Sequence, residues 1–168
     1  MSGKFPLVCI KKEFINTISE ALDGETQEDK ERPYYVEIDI FKNYKVFLPL
    51  RSNCGDHDYY VNIYNDSPQK RKNPGIDCSK MIIVKENNVQ SIMNTIHKPI
   101  NNDVYNDIYS KKAIIKDKCL KTICTYKTIL QKKKTGLLLS ENETYLYNFS
   151  TLCNYKDMIY NLEQSINK

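Results

Sequence analysis

The sequence predicts a single α+β domain over residues 1–168, with a β-rich first half and helices packed on it. Residues 35–41 alternate in character and the run 45–50 follows after a short connection, a pattern typical of a strand hairpin. From residue 103 to 133 the apolar positions recur every three or four residues, which is typical of helices. A hydrophobic content of 40% in 168 residues is sufficient for one buried core.

The first half of the chain begins with the apolar run Leu7–Ile10, which predicts a buried strand. A helix over residues 11–22 is expected next, because its apolar residues share one face. Residues 33–41 and 45–50 are rich in β-branched and aromatic side chains. They predict the two strands of a hairpin.

Beyond the hairpin, the sequence predicts a second strand pair and then mainly helices. A second strand pair is expected at residues 59–64 and 80–85, separated by a polar, basic loop. The further predicted elements are a short helix at 89–96, one long helix or two over 103–133, a last strand at 137–140 and a terminal helix capped by Ser150.

Charge is distributed unevenly although the net charge is only +4. Residues 111–134 contain nine lysines against one acid, Asp117. A basic face of this kind favours a polyanionic partner such as RNA. The alternative is an ordinary solvated helix surface, since lysine runs are common on exposed helices.

The six cysteines contain no C-x-x-C pair, and no metal-ligand spacing is present. We therefore expect neither a disulfide framework nor a bound metal. No apolar run is long enough for a signal peptide or a membrane span, so the sequence predicts a cytoplasmic protein without a membrane partner.

Polar side chains cluster where two predicted strands end. One group is Arg51-Ser52-Asn53 with His57, and the other is the segment 75–80 (Gly-Ile-Asp-Cys-Ser-Lys). Strand ends beside turns hold side chains steady for a ligand. The alternative is ordinary turn chemistry, because serine and asparagine bond their own backbone readily.

The chain resembles the toxins of type III toxin–antitoxin systems, the ToxN/AbiQ family, and is most similar to its TenpN branch. The resemblance runs from end to end. It rests on the opening strand and helix, on Arg-Pro-Tyr-Tyr-Val at 32–36, on Pro-Leu-Arg-Ser-Asn at 49–53 with His57, on the segment 75–80, and on Tyr-Asn-Phe-Ser-Thr-Leu at 147–152.

This resemblance implies a sequence-preferring endoribonuclease toxin that acts in phage defence by abortive infection. It implies a compact, antiparallel, barrel-like sheet similar to Kid and MazF, surrounded by helices. It also implies a small repeat-encoded antitoxin RNA that inhibits the toxin in an RNA-bridged hetero-oligomer, cellular or phage RNA as substrate, and no cofactor.

The family pattern is matched only in part. ToxN and AbiQ have Thr/Ser-Ser-Pro-Lys after the proline–leucine pair. Ser52 matches the second hydroxyl, whereas Arg51 and Cys54 replace the first hydroxyl and the lysine. Arg32 falls where ToxN has a lysine. Phe14 falls where it has a tyrosine, and having no hydroxyl it cannot donate a proton.

RNA can be cut without a metal when its own 2′-OH attacks the neighbouring phosphate, which leaves a 2′,3′-cyclic phosphate and a 5′-OH. Arg51 and Lys80 would bind the phosphate, Ser52 and Asn53 would add hydrogen bonds, and His57 would be general base or acid. Asp77 would orient His57 or pair with Lys80. The predicted RNA-binding residues are Arg32, Tyr34, Tyr59, Lys70, Arg71, Lys72, Asp77 and Ser79.

Two other functions fit the same sequence. The first is a non-catalytic RNA-binding or regulatory protein with the same basic surface. The second is an interaction protein whose lysine-rich helix contacts an acidic protein.

Overall fold

The computed structural model describes residues 7–18, 35–94 and 100–161, so Arg32 and Tyr34 lie outside the described residues. Within these ranges the elements are β1 (Leu7–Ile10), α1 (Lys12–Thr17), β2 (Tyr35–Ile38), β3 (Tyr44–Arg51), β4 (Tyr60–Asn62), β5 (Gly75–Asp77), β6 (Ile82–Lys85), α2 (Val89–Ile92), β7 (Met93–Asn94), α3 (Asn102–Ser110), α4 (Lys112–Thr135), α5 (Glu141–Phe149) and α6 (Lys156–Asn161). Short 3₁₀ turns lie at Cys78–Lys80, Glu86–Asn88 and Thr151–Tyr155.

The strands form one antiparallel sheet in the order β4-β5-β3-β2-β1-β7, and β6 also pairs with β3. The predicted α+β class is confirmed. The described strands form an open path that ends at β4 and β7, so the barrel expected from the family resemblance is not confirmed in this part of the chain.

Strand β3 is the centre of the sheet because it pairs with β2, β5 and β6. The hairpin of β2 and β3 was predicted, and its turn contains Asn43 at a φ of 67°. The expected pairing of residues 59–64 with 80–85 is wrong. Instead β4 pairs with β5, and β6 pairs with β3. The 3₁₀ turn Cys78–Lys80 separates β5 from β6.

Each face of the sheet packs against its own apolar cluster. Leu48 and Val46 belong to the larger cluster, which includes residues of α3, α4, α5 and α6. Phe47 points the other way and packs with Ile82 and residues of β1 and α2. This alternation along β3 follows from the two-residue period of a strand.

The helical half begins with α3 and α4, two helices separated at Lys111. Helix α4 ends at Gly136, whose φ of 73° suits glycine. The predicted strand at 137–140 is absent there, because Leu138 is exposed and Ser140 forms a capping box with Glu143 that starts α5. Ser150 caps the 3₁₀ turn that leads into α6.

The predicted helix at 89–96 is shorter in the structure. Helix α2 ends at Ile92, and the next two residues form β7 against β1. Within the described ranges, none of the helices combines the length and apolar character that a bilayer crossing requires.

Candidate active site

The pairing register places three polar side chains on one face of the sheet. Arg51 lies opposite Gly75, and Tyr60 lies opposite Asp77. Side chains two residues apart along a strand, or directly opposite across a pair, project from the same face. Arg51, Asp77 and Tyr60 therefore share a face at the end of β3, and the intervening Ile76 belongs to the core on the other face.

An ion pair joins two of these residues. Arg51 Nη1 donates to Asp77 Oδ2 at 3.0 Å. The Asp77 side chain is fully buried, whereas the Arg51 side chain retains 16% exposure. The other oxygen, Asp77 Oδ1, accepts hydrogen bonds from the backbone N–H of Ser79 at 2.9 Å and from its hydroxyl at 2.6 Å. Asp77 is thus a buried anchor for Arg51.

The environment of Asp77 shifts its titration. Burial raises the pKa of Asp77 above its ordinary value, although the Ser79 hydroxyl and the Arg51 guanidinium act in the opposite direction. Asp77 was predicted to orient His57 or to pair with Lys80. In the structure its ion pair is with Arg51, and the His57 ring contacts aromatic side chains.

Lys80 lies in the 3₁₀ turn beside this pair and is only 7% exposed. Its Nζ donates to the carbonyl oxygen of Phe149, at the end of α5. A cation is favourable there because the helix dipole is negative at this end. Ser150 Oγ also donates to the Ser79 carbonyl at 2.6 Å, so the turn is fixed to the end of α5.

His57 lies in an aromatic group next to the ion pair. Its ring stacks on Tyr145 at a centroid distance of 4.0 Å and an interplanar angle of 15°, and it meets Tyr60 edge-on at 5.8 Å. The hydroxyl oxygens of Tyr60 and Tyr145 are 3.2 Å apart, and the ring centres of Phe149 and Tyr145 are 5.2 Å apart. Two stretches of chain separated by some 85 residues build this group.

Burial keeps the nearby phenol and thiols protonated. It raises the pKa of Tyr60 and raises that of Cys54 to about 12. The pKa of the Cys78 thiol is raised for the same reason. A nucleophilic cysteine must be a thiolate, so neither cysteine is a nucleophile near neutral pH. Near neutral pH the Tyr60 hydroxyl keeps its proton and can donate a hydrogen bond.

The turn after β3 is fixed to the polar loop 65–74. Asn53 Oδ1 accepts a hydrogen bond from the backbone N–H of Lys72 at 2.8 Å. The backbone N–H of Cys54 donates to the carbonyl oxygen of Asn73 at 2.6 Å. Ser52 is exposed at the start of this turn. Asn53 thus links the turn to the loop 65–74 instead of bonding its own local backbone.

Gly75 allows the turn to approach β5 closely. A Cβ on Gly75 would lie 2.8 Å from Cys54 Sγ and 2.9 Å from the Val61 carbonyl oxygen. Both distances are shorter than real Cβ contacts, so a side chain here displaces the turn or the strand. Because Gly75 has no side chain, the turn that follows Arg51 can pack directly against β5.

The predicted site residues divide into four groups in the structure, one of which is Tyr59 alone, a core residue. Those that the fold brings together are Arg51, His57, Asp77, Ser79 and Lys80. Those on the adjoining turn and loop are Ser52, Asn53, Lys70, Arg71 and Lys72, of which Arg71 pairs with Asp66 at 3.0 Å. Arg32 and Tyr34 lie outside the described residues.

Two expected RNA contacts have structural roles instead. Tyr59 is 5% exposed and its hydroxyl donates to the Asn142 carbonyl at 3.0 Å, so its ring belongs to the core. Ser79 is buried and orients Asp77. The tyrosine that faces the site is its neighbour Tyr60.

Sequence reasoning missed Tyr145 and Phe149 as site residues. Their spacing of four residues places them on the same side of a helix, which is the signal that predicts their joint contact. That signal is readable only once α5 is recognised as a helix.

The site contains candidates for phosphate binding and proton transfer. Among the described residues, no group of three or more His, Cys, Asp or Glu side chains is arranged to hold a metal ion. Comparisons with protein-family models, with curated proteins and with solved structures find no match to this chain.

Proposed function

We propose that this protein is an endoribonuclease that cleaves single-stranded RNA at the site formed by Arg51, Asp77, Lys80 and His57. The observation that carries the proposal is the Arg51–Asp77 ion pair at 3.0 Å beside the stacked rings of His57 and Tyr145. A guanidinium held in place is suited to a phosphate, and aromatic rings are suited to unpaired bases.

In the proposed reaction, the ribose 2′-OH attacks the adjacent phosphorus and the bond from phosphorus to the 5′-oxygen breaks. Arg51 stabilises charge on the phosphoryl oxygens, with Lys80 adding positive charge nearby. His57 is the group that removes the 2′-OH proton or protonates the leaving 5′-oxygen. The products are a 2′,3′-cyclic phosphate and a 5′-OH, with no metal taking part.

The proposal includes a biological setting that rests on the family resemblance. In it the protein is a type III toxin in the cytoplasm that acts in phage defence, with a fold related to Kid and MazF. A small repeat-encoded antitoxin RNA inhibits it within an RNA-bridged hetero-oligomer. Cellular or phage RNA is the substrate.

The test compares purified wild type with Arg51→Ala and Arg51→Lys on single-stranded RNA in EDTA. Wild type is expected to cleave, and Arg51→Ala is expected to lose at least tenfold in rate. Arg51→Lys should recover only part of this loss, because lysine cannot make the bidentate contact. Intact RNA with wild type would contradict the proposal.

A non-catalytic RNA-binding protein is the second candidate, and the stacked pair of His57 and Tyr145 favours it. Stacked rings bind bases in proteins that do no chemistry. Binding of RNA by wild type without cleavage under any divalent-ion condition would support this function over the nuclease.

A further inference from the structure

Helix α5 contacts the proposed active site on one side and a pair of lysines on the other. Tyr145 and Phe149 lie towards His57 and Lys80. Tyr147 is offset from Tyr145 by about 200° around the helix axis and contacts α4 and α6 instead. Lys133 Nζ lies 5.2 Å from the centre of the Tyr147 ring, and Lys156 Nζ lies 5.8 Å from it.

The two ammonium groups at Tyr147 are not neutralised within the described part of the chain. Other lysines of the basic stretch do have acidic partners, since Lys121 pairs with Asp117 at 2.8 Å and Lys132 pairs with Glu143 at 2.6 Å. Lys133 and Lys156 form no ion pair with a described carboxylate. The fold therefore places two lysines without a described acidic partner at one tyrosine.

Two like charges at one ring repel each other, and a cation–π contact at an exposed site compensates only weakly. An anion between the ammonium groups would remove the repulsion. Lysine side chains are flexible, so ammonium groups that turn from the ring to phosphates would leave the ring to stack a base.

We propose that Lys133, Tyr147 and Lys156 form a second binding site for single-stranded RNA, separate from the cleavage site and on the opposite side of α5. This proposal rests on the proposed function for its ligand class. The charge favours RNA over a protein partner because a base and its phosphates use both the ring and the cations. A strand bound here passes over α5 to the Arg51 site, so long RNA is held at two places.

The test measures binding of a 2′-O-methyl single-stranded oligonucleotide, which cannot be cleaved, to wild type and to the double variant Lys133→Gln/Lys156→Gln. Affinity is expected to fall at least tenfold for the double variant. The slope of log affinity against log salt should fall by about 1.4, for two lost phosphate contacts. Tyr147→Leu should weaken binding with little change in this slope, because it removes stacking and no charge.

The matched control is Lys42→Gln/Lys85→Gln, which removes two exposed charges near the turn between β2 and β3. Equal loss of affinity in both double variants would overturn the second site, since net charge alone would then explain the effect. Unchanged affinity in Lys133→Gln/Lys156→Gln would also overturn it.

Cleavage of a dinucleotide separates this proposal from the proposed function. A dinucleotide is too short to reach both sides of α5, so the double variant should cleave it at the wild-type rate. If wild type does not cleave RNA but the double variant still binds it less well than the control, only the nuclease proposal fails.

Discussion

The imidazole of His57 lies flat against the ring of Tyr145, with the ring centres 4.0 Å apart. This contact joins the turn after β3 to helix α5 and fixes the plane of the only histidine in the described part of the chain. The position of His57 therefore depends on α5 as well as on its own turn.

Removal of the imidazole should abolish most of the cleavage activity. We expect His57→Ala to lower the cleavage rate at least tenfold, because general acid–base catalysis contributes about 10²–10⁴-fold. Single-turnover cleavage of RNA measures this loss. His57→Ala with the wild-type rate would remove His57 from the mechanism.

Substitutions at Tyr145 separate stacking from hydrogen bonding. Tyr145→Phe keeps the ring and loses only the hydroxyl that lies 3.2 Å from Tyr60, so most activity should remain. Tyr145→Leu loses the flat surface against His57, and the rate should fall at least fivefold. Thermal unfolding serves as the folding control. Equal rates for the two variants would show that stacking does not position His57.

The Arg51–Asp77 pair should be coupled in stability. Arg51→Ala leaves the fully buried Asp77 carboxylate without its guanidinium, which should cost roughly 3 kcal/mol in the free energy of unfolding. In the Asp77→Asn background the same substitution should cost much less, because the buried group is neutral. Urea unfolding of the two single variants and the double variant measures this coupling. Additive costs would contradict it.

Acid should release Arg51 from its anchor. Burial raises the pKa of Asp77, so its carboxyl becomes protonated at a higher pH than an ordinary aspartate does. Below that pKa the ion pair is lost, and the cleavage rate should fall as the pH is lowered through it. Because the folded pKa exceeds the unfolded one, Asp77 itself stabilises the fold most at low pH and loses that contribution as the pH rises through the folded pKa.

The Asp77→Asn variant is the control for this pH dependence. It should have a lower rate at neutral pH and should lack the part of the acidic fall that belongs to Asp77. Acidic limbs of the same shape in Asp77→Asn and wild type would show that another group is responsible.

Two glycines near the site give opposite expectations for stability. Gly75→Ala places a Cβ 2.8 Å from Cys54 Sγ and should cost about 1–3 kcal/mol, with a loss of activity as the turn moves. Gly55→Ala meets nothing nearer than 3.5 Å and should change stability by less than about 0.5 kcal/mol. Urea unfolding compares them, and similar costs would contradict the packing argument.

Local signals explain which parts of the fold were predictable from the sequence. The apolar runs of β1 and β3 and the three-to-four spacing over α3 and α4 are local patterns, and the structure confirms these strands and shows two helices there. The partner of β4 was missed because β5 has only three residues and gives no periodic signal. Strand pairing is also a long-range property that short segments do not encode.

The site, too, was predictable only in part. Arg51, His57, Asp77 and Lys80 lie at strand ends, and the topology of the sheet brings those ends together. Tyr145 was missed because α5 was not predicted, and the residues just before it (137–140) were interpreted as a strand. Tyr59 was predicted to contact RNA, but its neighbour Tyr60 faces the site, because a shift of one residue along a strand reverses the face.

The end groups of the cleaved RNA show whether the ribose 2′-OH attacks the phosphate. Wild type is incubated in EDTA with a single-stranded RNA, and the products are analysed by mass spectrometry. The same RNA with a 2′-deoxy residue at the cleaved position is the matched substrate. If the ribose 2′-OH attacks the phosphate, we expect a 2′,3′-cyclic phosphate from the RNA and no cleavage of the 2′-deoxy substrate. Cleavage of both substrates, or no cleavage of either, would contradict it.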